Sequence, residues 1–216
     1  MERNPTIVTI IRHGETEWNW NGKHQGQLDS PLSALGMKQT SAVARFLARG
    51  SIRYDVLYSS DLGRSVQSAA LIAKKIGLRI NLDGRLRERK LGIIEGLTME
   101  EFKQMYYKEY EKFVSSDPDY IIPKGESIRQ RSERAVSCLV ELVAQHEHKG
   151  ILVVTHGGIL DSIFREVFGI SLEDKRRFSL INSSINTFSV REGKWKLESW
   201  GNTSHLDKID AEDDFI

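Results

Sequence analysis

Residues 6–19 read TIVTIIRHGETEWN, and the rest of the chain is organised around them. The β-branched run Thr6, Ile7, Val8, Thr9, Ile10 and Ile11 is the pattern of a buried strand. It stops at Arg12-His13-Gly14, which delivers a cation and an imidazole and then lets the backbone turn. In open α/β sheets ligands sit beyond the carboxyl ends of the strands. The form is repeated at Ile151-Leu152-Val153-Val154-Thr155, which also ends in His-Gly, at His156-Gly157. A third apolar piece, Tyr54 to Tyr58, runs into Ser59-Ser60-Asp61 and then a helix carrying Arg64. If the three strands are parallel neighbours, two histidines and two arginines gather at one sheet edge.

Working outward, residues 20–31 are polar and turn-rich and read as a loop. Ser33 is a helix N-cap, with Leu35, Val43, Phe46 and Leu47 on one face and Gly50 as the stop. Val66, Ala69, Ala70, Ala73 and Ile76 give the next helix its buried stripe, ended by Gly77. Leu78 to Leu86 predicts an edge strand and a turn. Leu97 to Val114 is helical, and Asp117 to Gly125 is a loop. Ser127 caps a long amphipathic helix marked by Ile128, Ala135, Leu139, Leu142 and Val143. A helix over 158–168 closes at Gly169. Ile185 to Val190 and Trp195 to Trp200 form a hairpin around Glu192-Gly193. The acidic stretch 207–216 is expected to fray. Alternating strands and helices predict an α/β fold, a mostly parallel central sheet with helices on both faces.

The 216 residues suffice for one domain with a sizeable core, and a single domain over 1–216 is expected, since no repeat or linker is visible. An apolar fraction of 39% and a charged fraction of 28% fit an ordinary soluble protein. A net charge of +1 provides no global field for nucleic acid or a membrane surface. No apolar run reaches membrane-spanning length. The lone cysteine, Cys138, sits among apolar residues and reads as a small buried hydrophobe. A cysteine phosphatase would carry an arginine six positions on, where this chain has Ala144. Sparse cysteine and no signal peptide point to the cytoplasm.

Arg12-His13-Gly14-Glu15-Thr16-Glu17-Trp18-Asn19 resembles the signature of the histidine phosphatase superfamily, the phosphoglycerate-mutase-like proteins. The satellites of that signature follow in order. They are Gln25-Gly26, the Ser59-to-Arg64 segment, Glu88 ahead of Gly92 to Gly96, and the late His156-Gly157. The resemblance implies a phosphoglycerate-mutase-like fold, a small-phosphatase activity needing no metal or other cofactor, and a lid-like insertion at about 97–123. Ile94 stands where many relatives carry an aromatic residue.

In this reading His13 is the nucleophile. A neutral imidazole has a lone pair that can take a phosphoryl group, splitting one hard transfer into two easier ones. Its other nitrogen needs a holder, expected to be a backbone carbonyl. Arg12 and Arg64 would grip the phosphoryl oxygens with planar donors whose charge is not lost. His156 would donate to the same oxygens. Asn19 and Gln25 would add neutral donors, and Gly14, Gly26 and Gly157 would let backbone N–H groups approach an anion. Glu88 would be the general acid, then the base toward water. Its rival is Glu95, and Arg85, Arg87 and Arg89 beside it would favour its charged form. Asp61 is given the cap of Arg64's helix. His24 is placed at the pocket rim, and His146 and His148 on the solvated surface. The ending Trp200 to Leu206 imperfectly matches that of the small phosphatases, which would bring His205 back to the substrate. The aromatic and basic residues of 97–123, among them Phe102, Lys103 and Tyr107, would contact it.

The expected reading is a metal-independent phosphatase for a small phosphorylated metabolite. A phosphoglycerate mutase uses the same phosphohistidine and is the alternative, although the stretch from Gly96 to Gly125-Glu126-Ser127 is short for one. A catalytically silent binding protein is the third reading. Among partners a homodimer stays open.

Overall fold

The computed structural model describes residues 4–206; the expectation for 207–216 lies outside the described residues. Strand β1 (Thr6–Arg12) is central to one six-stranded sheet of order β3-β2-β4-β1-β5-β6, with β2 (Val56–Ser59), β3 (Ile80–Leu82), β4 (Gly150–Thr155), β5 (Ile185–Arg191) and β6 (Lys194–Asn202). The first four in that order run parallel, whereas β5 lies antiparallel to β1 and β6 antiparallel to β5. A mostly parallel sheet is therefore present. β5 and β6 are joined by a tight turn in which Glu192 and Gly193 have φ of 52° and 73°, the positive pair that matches strand twist in a two-residue hairpin.

The β-branched strands are buried on both faces because helices cover both. Alternate residues of a strand point to opposite sides. Ile10 and Val153 join one apolar cluster with Leu139 of α6 (Ile128–Gln145) and Ile159 and Ile163 of α7 (Gly157–Phe168). Ile11 and Val154 join another with Val43 and Leu47 of α2 (Ala34–Arg49) and Ala69 and Ile72 of α3 (Gly63–Ile76). Each such Val, Leu or Ile side chain, fully removed from water, contributes about 1.5–3 kcal/mol. Ser33 and Ser127 cap α2 and α6 as expected, the latter in a capping box. Gly77 and Gly169 end α3 and α7 in the left-handed region.

Two stripes differ from expectation. Phe46 is exposed rather than buried, and Ala70 faces solvent while the buried face of α3 carries Arg64, Ser65 and Ser68. Polar residues on a buried face escape a hydrophobic period and here serve the site. Cys138 is buried as expected, and burial pushes its thiol up to about 12. His148 is exposed, but His146 is half-buried, bonded to the Tyr58 hydroxyl at 2.9 Å.

Residues 97–123 hold two short helices, α4 (Met99–Met105) and α5 (Tyr107–Val114), after α1 (Glu17–Trp20) in helix order. They have a small core of their own, Ile94, Phe102 and Ile122, distinct from both sheet clusters. Ile94 is thus an interior residue of the lid base.

Candidate active site

The register of β1 against β4 decides the site. Arg12 pairs with Thr155, so the next residues, His13 and His156, emerge side by side. Their rings meet edge to face with centroids 5.2 Å apart, and the His13 N–H donates to the Thr155 carbonyl at 2.9 Å. A cavity of about 600 Å³ opens there. Arg12, His13, Asn19, Gln25, Gly26, Arg64, Glu88 and Gly157 all line it, so eight of the eleven expected residues meet in one place.

His13 Nδ1 donates to the Gly14 carbonyl at 2.7 Å, as anticipated. A carbonyl only accepts, so the proton sits on Nδ1 and the lone pair on Nε2. Arg64 Nε donates to that Nε2 at 3.3 Å. Burial, then the Arg64 and Arg12 guanidiniums, hold the His13 pKa well below its ordinary value, so the ring is neutral near pH 7. Arg64 is buried and anchored by three further contacts, NH2 to the Gly26 carbonyl (2.7 Å) and NH1 to the Leu28 carbonyl (2.9 Å) and Asp29 (3.2 Å). Arg12 NH1 donates to the Leu180 carbonyl.

His156 is wholly buried and does not line the cavity. Its Nε2 bonds Ser60 Oγ at 2.8 Å and lies 3.3 Å from Ser65 Oγ, while its Nδ1 has no hydrogen-bond partner among the described residues. Burial, Arg64 and His13 lower its pKa well below the ordinary value. Gln25 Oε1 is likewise buried and unpartnered. Buried polar atoms without partners each cost about 1–3 kcal/mol, and of these two residues Gln25 lines the cavity.

Glu88 accepts two backbone N–H bonds, Arg89 to Oε1 at 2.7 Å and Gly158, in the first turn of α7, to Oε2 at 2.9 Å. The flanking arginines are engaged elsewhere: Arg85 with Asp83 and Glu141, Arg87 with Asp61, Arg89 with the Glu126 and Tyr120 carbonyls. The rival Glu95 binds the Gln27 and Leu91 N–H groups through Oε1 and fastens two loops.

Four expectations need correction. Gly14 does not line the cavity; its N–H donates to Ser68 Oγ at 3.1 Å, and a Cβ there would lie 2.5 Å from the Gly36 carbonyl oxygen, so it is a packing glycine against α2. His205 also lies elsewhere, its Nε2 donating to the Ser183 carbonyl at 3.0 Å and its ring 5.5 Å from Phe46. Asp61 pairs with Arg87, and the N–H groups of Gly63 and Arg64 are capped instead by Asp29, which no local spacing from α3 announces. From the lid it is Phe113, Val114 and Ser116 that reach the cavity, with Phe102 turned into the lid core. His24 does line it, its ring packed on Phe113. Arg131 on α6 and Gly158 are the residues that sequence reasoning missed, although the doubled glycine at 157–158 is a readable sign of close approach.

The matching model of histidine phosphatase superfamily branch 1 spans residues 8–203. The chain belongs to the histidine phosphatase superfamily. A metal-independent phosphoserine phosphatase of Arabidopsis thaliana is 36% identical over 211 residues, 97% of this chain and 87% of that protein. A probable phosphoglycerate mutase of Proteus mirabilis is 34% identical over 207 residues, covering 94% and 95%. Among solved structures, Bacillus stearothermophilus YhfR superposes with a TM-score of 0.86 at 28% identity, over 94% of this chain and all of that one. For a histidine phosphatase the geometry sets two measurable expectations.

The first concerns Gly158, whose Cβ would fall 2.1 Å from Glu88 Oε1. Alanine is the better helix former there by about 1 kcal/mol, so Gly158→Ala should fold. It should nevertheless displace the carboxyl and lower kcat by ~100-fold, within the range for a general acid. Unchanged kcat would remove Glu88 from the chemistry. The second concerns acid stability. With His13 and His156 pKa values lowered on folding, the unfolded chain binds more protons below pH ~6.5. Their contribution is complete above that pH and is lost as pH falls, by up to about 1.4 kcal/mol per pH unit for each ring. Urea midpoints should drop from pH 7.5 to 5.5, and His156→Asn should flatten the dependence. A slope the same in that variant would contradict the account.

Proposed function

We infer that this histidine phosphatase hydrolyses small phosphate monoesters through a phosphohistidine on His13. The observation that carries the reading is the fixed His13 tautomer, a neutral ring with its Nε2 lone pair beside Arg64 and in one cavity with Glu88. His13 Nε2 attacks phosphorus, the ester P–O bond breaks, and the Glu88 carboxyl gives its proton to the departing alcohol oxygen. Glu88 then takes a proton from water, the oxygen attacks phosphorus, and the N–P bond breaks to release phosphate and restore the imidazole. Arg12 and Arg64 carry the charge that spreads over the phosphoryl oxygens. Gln25 lines the same cavity, and the N–H groups of its side-chain amide are the neutral donors for those oxygens.

A mutase would deliver the same phosphoryl group to an organic hydroxyl, and the similarity to a probable phosphoglycerate mutase favours keeping that reading as the second. One experiment separates them: a panel of phosphate monoesters, in buffer containing EDTA, with free phosphate and 2-/3-phosphoglycerate interconversion read in parallel. Phosphate release from several esters with slow interconversion is expected. Fast interconversion with little phosphate would replace hydrolase by mutase, and inactivity in both would defeat the catalytic reading.

A further inference from the structure

A strand end aims a nucleophile only as accurately as the two peptide planes flanking its Cα are held. Around His13 both planes are pinned at both ends. In the plane before it, the His13 N–H donates to the Thr155 carbonyl at 2.9 Å, and the Arg12 carbonyl accepts from the Ser183 N–H at 3.1 Å. In the plane after it, the Gly14 N–H donates to Ser68 Oγ at 3.1 Å, and the His13 carbonyl accepts from the Asn182 amide at 3.0 Å. The Ser183 N–H is shared with that second carbonyl at 3.3 Å. These bonds fix φ and ψ of His13. They thereby set the direction of its Cβ and the place of the Gly14 carbonyl on which Nδ1 rests.

Two of the holders come from regular elements, Thr155 from β4 and Ser68 from α3. Asn182 and Ser183 do not. The β1–β5 ladder ends with Ile11 opposite Ile185, and a strand continued backward would have set Ser184 and Ser183 opposite Arg12 and His13. The chain leaves the ladder there instead. The Ser184 N–H donates to the Ile181 carbonyl at 3.1 Å, and Ser183 takes a φ of 59°, a left-handed conformation uncommon for a residue with a side chain. Such outliers gather at functional sites. The turn lays the Asn182 side chain, 3% exposed, on the His13 carbonyl. His205 holds the turn from behind, its Nε2 donating to the Ser183 carbonyl at 3.0 Å. The same segment carries the Leu180 carbonyl that receives Arg12 NH1.

We propose that Asn182 is a positioning residue for phosphoryl transfer, its side-chain amide fixing the His13 backbone so that Nε2 points at phosphorus. The proposal rests on the reading of His13 as nucleophile. The test follows Asn182→Ala with an aryl phosphate, at a temperature where circular dichroism reads each variant as fully folded. A misaimed nucleophile loses rate rather than binding. Thus kcat should fall ~100-fold, the scale of a 1 Å misplacement, with KM within about 3-fold. Thr187→Val is the structural control. It removes a buried bond between the same two strands, Thr9 Oγ1 to Thr187 Oγ1 at 3.2 Å, and should leave kcat as in the parent. His205→Phe keeps a ring against Phe46 but gives up the bond to Ser183. It should lower kcat ~10-fold and carries the test if Asn182→Ala does not fold.

Nitrogen-15 spectra of the His13 ring, assigned by their absence in His13→Ala, need no turnover. The parent should show Nδ1 protonated and Nε2 bare. In Asn182→Ala and His205→Phe the two signals should move toward each other as the ring leaves the Gly14 carbonyl. Parental kcat in the folded variants, an equal loss in Thr187→Val, a loss confined to KM, or unmoved ring signals would each overturn the proposal. If the ring signals move but the parent forms no phosphoenzyme, the nucleophile reading fails and the hold on His13 stands. If the parent turns over through a phosphoenzyme and neither rate nor ring responds, the reverse holds.

Discussion

His13→Ala should remove turnover while leaving the fold in place. The loss should be on the order of 10^5-fold in kcat, the scale seen when an enzyme loses the atom that forms its covalent intermediate. The side chain makes few structural contacts: one bond to the neighbouring carbonyl and one from Arg64. Removing a ring that resists protonation also lightens the acid sensitivity described above, so the variant should be at least as stable as the parent at pH 5.5. Rapid quench with 32P-labelled ester should show an acid-labile, base-stable phosphoenzyme in the parent and none in the variant. Residual turnover within tenfold of the parent, or a phosphoenzyme that persists, would place the nucleophile elsewhere.

Arg64→Met should damage both chemistry and stability. The guanidinium is almost fully buried and answers the carbonyls of Gly26 and Leu28 as well as Asp29 and His13. Truncation leaves two buried acceptors unanswered, at about 1–3 kcal/mol each. It also removes one of the two cations proposed to hold the phosphoryl group, for which a loss of ~10^3-fold in kcat/KM is the expected order. Arg64→Lys keeps the charge but reaches only one carbonyl, so it should recover much of the stability and little of the rate. A methionine variant with near-parental kcat/KM would show that Arg12 alone carries the transferring group. A stable but inactive variant would show that the anchoring contacts matter less than the charge.

The sheet was legible because its strands are β-branched and punctuated by His-Gly, and parallel pairing then makes the two histidines neighbours without further information. The Glu88 carboxyl was legible as a motif, but the atoms that orient it were not. Gly158 reaches Glu88 across 70 residues of chain, and Asp29 caps a helix that begins 34 residues later, so neither leaves a local trace. Ser60, Ser65 and Ser68 look like ordinary polar residues until the fold buries them around the histidines. The placement of His205 failed for the opposite reason. A short ending resembled that of the small phosphatases, while the contact that decides its position, with Ser183, belongs to another segment. Phe46 falls on the helical period of a core residue, yet it packs on that same histidine at the surface.

The separate apolar kernel of residues 97–123 has an evolutionary consequence. Ile94, Phe102 and Ile122 fasten the cap to itself, and the two sheet clusters do not depend on them. Substitutions at Phe113, Val114 and Ser116 can therefore remodel the roof over the ester while the sheet edge with its histidines and arginines is inherited intact. Diversification can proceed in the roof without renegotiating the chemistry below, and grafting this short segment between relatives is a direct route to redirecting selectivity.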